Sequence, residues 1–173
     1  MESYWVEHLG DDLAQGDLLP NCLIPQFHPD FGSTSGQEER VQVAQADLIV
    51  VTQSCDLINN KPPFVALCPI DTLSSFEIAN PRFLQKGAWE EVRKGRREGL
   101  HMLCAPSAPG DNRKALVVDF RQIISLPFNY LASHSQQLGV RYRLKSPFLE
   151  HYSQAFARFF MRVGLPSAIP PFK

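Results

Sequence analysis

The chain has 173 residues, 44% hydrophobic and 20% charged, with a formal net charge of −1. That length suits one domain with a real core, the hydrophobic share excludes a wholly disordered chain, and no apolar run nears the roughly 18 residues of a membrane span. The small net charge conceals an asymmetry: residues 1–80 carry 2 Lys/Arg against 12 Asp/Glu, whereas residues 81–173 carry 15 against 6. Such a split excludes a uniformly basic nucleic-acid coat and points to an electrostatic partner, either the other half of the chain or something anionic.

Residues 3–15 are expected to form a short helix through Trp5, Leu9 and Leu13. Gly16-Asp17 then breaks the chain, and Leu18–Ile24 is an apolar run that reads as a strand closed by Pro25. Residues 28–40 form a long polar and Gly/Ser-containing loop. Leu48–Thr52 is a β-branched run without polar alternation, the pattern of a strand buried on both faces. Asn59–Pro63 makes a turn, and Phe64–Pro69 returns at a spacing that favours an antiparallel hairpin.

Asn80-Pro81 has the form of a capped helix start, with Phe83, Leu84, Ala88, Trp89 and Val92 as apolar positions and Gly95 or Gly99 as the stop. Leu100–Cys104, Ala115–Phe120 and Gln122–Leu126 read as short strands, Pro127–Gln137 as a helix, and Val140–Leu144 as a last strand carrying Arg141 and Arg143. The final helix starts at Ser146-Pro147 and stops at Gly164 and Pro166. Its apolar stripe is Phe148, Tyr152, Ala155, Phe156, Phe159 and Val163, broadened by Phe160 and Met161, with Glu150, Gln154, Arg158 and Arg162 along the opposite edge.

The tally predicts an α+β domain over 1–173. Its centre is a small, strongly bent antiparallel sheet or SH3-like barrel over about 16–145, with a helical insertion at 80–98 and the C-terminal helix 146–163 packed on it. The four cysteines (Cys22, Cys55, Cys68, Cys104) form no Cys-x-x-Cys pair, and Met1-Glu2-Ser3-Tyr4-Trp5 lacks the basic and apolar regions of a signal peptide. Free thiols in a reducing cytoplasm, with no membrane anchor, are therefore expected.

Gly16-Asp17-Leu18-Leu19 opening a strand, Leu48–Thr52 ending in a hydroxyl residue, and Ala66-Leu67-Cys68-Pro69-Ile70 together resemble the opening of PemK/MazF-type proteins over residues 16–70. The family's Arg-Pro before the second of these strands is replaced here by Gln45-Ala46-Asp47. The resemblance implies an SH3-like barrel, a toxin–antitoxin setting and a metal-independent endoribonuclease chemistry in which Thr52 and an arginine would act.

Chemistry is sought first at Thr52-Gln53-Ser54-Cys55-Asp56, small and polar residues directly after a buried strand. A Cys55 thiolate beside His28, His101, His134 or His151 would be a nucleophile, although the adjacent Asp56 opposes thiolate formation. The plainer reading packs Cys55 at a strand end, with Ser54 or Asp56 making a local turn bond. A metal site drawn from His28, Asp30, Cys55, Asp56 and His101 lacks close-spaced ligand pairs, so neither a metal nor another cofactor is expected. His8 and His134 read as surface or cap residues.

Arg93, Lys94, Arg96 and Arg97 are the densest charge run, suited to a phosphate backbone with Trp89 or His101 for base stacking; the structural alternative is complementing a helix C-terminus. Arg158 and Arg162, one turn apart on an apolar helix, call for a carboxylate or phosphate partner, and acids of the first half are the plainer choice. Arg141 and Arg143 would extend the same basic surface. Three functions follow. The first is a cytoplasmic recognition protein of a bacterial stress or defence system that binds a protein or single-stranded RNA. The second is a PemK/MazF-like ribonuclease, and the third a thiol enzyme centred on Cys55. The apolar tail (Leu165, Ile169, Pro170, Pro171, Phe172) would suit a partner or a second copy of the chain.

Overall fold

The structure is a computed structural model that describes residues 3–33, 40–59 and 62–161. The elements are β1 (Trp5–Leu9), β2 (Leu18–Gln26), β3 (Gln42–Val50), α1 (Ser54–Asn59), β4 (Phe64–Thr72), α2 (Leu73–Ala79), α3 (Ala88–Arg93), β5 (Leu100–Leu103), β6 (Leu116–Asp119), β7 (Ile124–Pro127), α4 (Phe128–Leu138), β8 (Val140–Leu144) and α5 (Phe148–Phe160). Short 3₁₀ turns occupy Pro81–Leu84 and Asn112–Lys114. The expected α+β class is found: one antiparallel sheet of six strands, a second of two, and helices packed against them.

In the large sheet the order is β2-β3-β4-β6-β5, with β7 also pairing β4. Registers Ile70↔Val118 and Leu67↔Ile124 place β6 and β7 one after the other along β4. They act as one antiparallel partner interrupted at 120–123. The small sheet pairs β1 with β8, and an isolated bridge between Asp17 and Arg143 ties it to the start of β2. Trp5 Nε1 donates to the Cys104 carbonyl at 2.7 Å, so β1 also reaches the end of β5. The bent antiparallel sheet is therefore present, but the strand path is open and does not close as a barrel.

Two interiors lie on the sheet. One gathers Trp5, Ile49, Cys68, Leu103, Val118, Phe120, Leu144 and Tyr152 under α5. The other gathers Leu19, Cys22, Leu48, Val50, Leu67 and Leu131 under α4. Adjacent residues of β3 point to opposite interiors, and Leu48, Ile49 and Val50 are all inaccessible, as the unalternated run predicts.

Residues 5–9, expected to be helical, form β1 instead. The exposed edge of β8 supplies a ladder of paired residues from Trp5↔Leu144 to Leu9↔Val140, and this pairing overrides a weak helical period. The helix expected over 80–98 is also broken up. Thr72 caps α2, its Oγ1 accepting from the Ser75 amide at 3.1 Å, so the helical insertion begins earlier. Asn80 ends α2, its Nδ2 donating to the Phe76 carbonyl at 3.1 Å. Gly87, at φ 87°, separates the following turn from α3. The fragments share one interior in which Phe76, Phe83 and Trp89 form mutual ring contacts at 4.7–5.7 Å.

The C-terminal helix runs as expected from Phe148; its proposed stop at Gly164 and Pro166 lies outside the described residues. Pro147 follows a cis peptide bond and precedes the helix instead of occupying its first turn. The apolar wrapping is narrower than the stripe suggests: Tyr152 is fully buried, while Phe160 stands 50% exposed.

Candidate functional site

The basic residues fall into two different environments. Arg141 and Arg143 are two apart on β8 and project to the same side, where the carboxylate of Asp17 receives both. Arg141 Nε lies 3.1 Å from Asp17 Oδ2, and Arg143 reaches Oδ1 and Oδ2 at 2.5 and 3.0 Å. The amide of Ala14 donates to Oδ2 at 3.0 Å. The remaining guanidinium groups secure the 10–12 turn: Arg141 donates to the carbonyls of Gly10 and Asp12, and Arg143 to the carbonyl and carboxylate of Asp12. Asp17 and Arg141 are fully buried. Arg141 therefore adds nothing to an exposed basic surface, and Arg143 is committed to the same carboxylate. A buried charge pair with every partner satisfied is a structural lock.

The second environment is a cleft. The C-terminal end of α3, β5, the 110–112 turn and α5 enclose a cleft of about 560 Å³. It brings Arg93 and Lys94 together with Arg158, more than sixty residues away in sequence, and with His101 and His151. Helical spacing places His151, Gln154, Ala155 and Arg158 on the side of α5 that faces the cleft. Tyr4 closes one end, its ring stacked on Phe148 at 3.7 Å.

The electrostatics are graded. Arg93 makes a two-pronged contact with Glu90, Nε to Oε2 at 2.7 Å and Nη2 to Oε1 at 2.6 Å, and Lys94 Nζ lies 3.2 Å from the same carboxylate. Hydrogen bonds from Arg93 and then Lys94 hold the Glu90 carboxyl down at about 2. Arg158 is exposed and has no side-chain partner among the described residues, so the expected pairing with first-half acids is not found there. His101 is half-buried against Phe120 and Tyr152; burial, and next the nearby His151, push its imidazole down to about 4. It stands neutral at physiological pH and offers one donor and one acceptor. The cleft thus combines three cations, two imidazoles and the single aromatic ring of Tyr4 with one acid, Asp111, which is itself paired with Arg113.

The other expected site residues lie elsewhere. Arg96 pairs with Glu91 at 3.2 Å and Arg97 sits 4.6 Å over the Phe83 ring, so neither lines the cleft. Arg162 lies outside the described residues. Thr52 Oγ1 accepts from the Ala66 amide at 2.8 Å, which ties it to the β3–β4 connection. Cys55 and Asp56 are exposed on the short helix α1, so Cys55 is not packed at a strand end, and its thiol contacts Gln53 Oε1 at 3.5 Å. No histidine hydrogen-bonds to Cys55 among the described residues. His134 is instead bonded to the Pro20 carbonyl at 2.8 Å and His28 lies beside Asp30. Among the described residues no three His, Cys, Asp or Glu side chains converge as a metal site.

Sequence reading identified three cations of the cleft but not their meeting, and it missed Tyr4, Cys104 and Asn112 as walls. The four-residue spacing of Glu150, Gln154 and Arg158 was the available signal for one side of it. No family model and no curated protein matches the chain.

Proposed function

We propose that the protein is a recognition module that binds single-stranded RNA through the cleft between α5 and β5, without cleaving it. The observation that carries this reading is the convergence of Arg93, Lys94 and Arg158 with His101 and His151 in a cleft of about 560 Å³. Phosphates match the cations, and the rings of Tyr4, His101 and His151 in the same cleft match unpaired bases. Recognition is favoured over catalysis because Thr52 is occupied by a backbone amide and, among the described residues, no histidine hydrogen-bonds to Cys55. The likeness of residues 16–70 to PemK/MazF-type proteins supports a stress or defence setting for this binding.

Fluorescence anisotropy with a labelled mixed-sequence RNA 12-mer tests the proposal. Binding should weaken as salt rises from 50 to 200 mM, with a log–log slope of about −2 for three engaged cations. Arg158→Ala should reduce affinity roughly five- to tenfold and shorten that slope by about 0.7, one phosphate contact. The RNA should remain intact on a gel. An RNA that does not bind at 50 mM salt, or binds equally well to Arg158→Ala and Lys94→Ala, overturns the reading; metal-independent cutting lost in Thr52→Ala would replace it with the ribonuclease.

A further inference from the structure

A second groove of about 460 Å³ adjoins the cleft and shares three of its walls, Arg93, Met102 and Asn112. Its chemistry differs. The apolar surface comes from Leu73, Trp89 and Met102, and the polar lining includes the carboxylates of Glu77 and Glu90. Glu90 is occupied by Arg93 and Lys94, whereas among the described residues Glu77 uses only Oε1, which accepts from Trp89 Nε1 at 2.7 Å. Arg93 stands at the border, lining both, with Nε and Nη2 committed to Glu90.

From this continuity we infer that the groove holds a base of the RNA whose phosphates lie in the cleft, and that it selects bases bearing an exocyclic amine. The inference rests on the RNA-binding reading. Arg93 and Arg113 line the groove beside Glu77 and Glu90, so its net charge does not orient the strand; the apolar surface of Leu73, Trp89 and Met102 suits a base, and Arg158 in the adjoining cleft suits the backbone. A base placed there covers apolar surface on Trp89 and Met102. Its amine donates to the open Oε2 of Glu77, an acceptor-only group. Cytosine and adenine present such a donor and uracil does not.

Intrinsic tryptophan fluorescence with the octamers of C, A and U reads both parts of the inference on the full chain. Of the two tryptophans, Trp5 is buried and Trp89 lines the groove, so bound octamer C or A should quench emission, and the quench should vanish in Trp89→Phe. Octamers of C and A should bind roughly fivefold more tightly than octamer U, the size of one hydrogen bond to a charged group. Glu77→Ala should level that difference, and Glu77→Gln, which keeps an acceptor and the fold, should retain part of it. Octamers that bind in an Arg158-dependent way with equal affinities and no quench would overturn the groove assignment and leave the cleft reading standing. Failure of every octamer to bind, or capture of a phosphopeptide instead, would overturn both.

Discussion

Asp17 shows how much one side chain can organise. It is inaccessible, accepts from two arginines and one amide, and follows Gly16 at φ 82°. A Cβ on Gly16 would lie 2.9 Å from Leu144 Cβ and 3.0 Å from Leu149 Cδ1, so the tight turn and the close approach of β8 and α5 both require glycine. Asp17→Asn removes the negative charge and leaves Arg141 buried without compensation. Such half-broken pairs cost about 3–5 kcal/mol. We expect Asp17→Asn to lower the urea midpoint accordingly, with the slope of the transition unchanged. Arg141→Met should cost less than Asp17→Asn, because Arg143 still holds the carboxylate. Equal stability of Asp17→Asn and wild type would remove the lock.

At the scale of elements, His101 makes the β5–α5 joint sensitive to acid. Its native value of about 4 lies below the ordinary 6.5, so between those pH values the unfolded chain binds a proton that the native one does not. Stability should therefore fall as pH drops from 6.5 toward 4, by on the order of 2–3 kcal/mol, and level off below. His101→Phe should flatten that part of a melting-temperature profile; an unchanged profile would mean the joint does not feel the imidazole. How legible such elements are in the sequence depends on where their determinants lie. Strand β4 and the end of β3 were readable because burial leaves an apolar run there, but β3 ends at Val50 instead of Thr52. The exposed first part of β3, residues 42–47, was not, since pairing with β2 and not an apolar run makes it a strand. α4 and α5 were readable because their period and breakers are local. β1 was not, since the edge of β8 that selects strand over helix lies about 135 residues away. The fragments at 73–93 were misjoined because Asn80-Pro81 resembles a helix start while Asn80 in fact terminates α2. The cleft was the least legible feature: its residues were individually visible, but only the packing of α5 across β5 brings them together.

Across the whole molecule, the two halves meet through both charge and apolar packing. Among the described residues, ion pairs between the acidic and basic halves occur at Asp12 and Asp17 with Arg143 and at Asp17 with Arg141. The pairs of Arg93, Lys94, Arg96, Arg113 and Arg121 are all with acids of their own half. Besides the pairs that join them, the two halves share apolar interiors, and the thiols report on them. Cys22 lies in the interior under α4 and Cys68 in the one under α5; burial, and then a nearby aspartate in each case, pushes both thiols up to about 12. Both interiors draw on β3 and β4, so neither can open while the other stays intact. Cys55, exposed on α1, should label at once with an alkylating reagent. Cys22 and Cys68 should label together, slowed roughly 10³–10⁶-fold, the reciprocal of the unfolded population of a marginally stable domain. Their rates should rise in parallel with added urea. If Cys22 labelled well before Cys68, the α4 interior would open on its own and the chain would not fold as one cooperative unit.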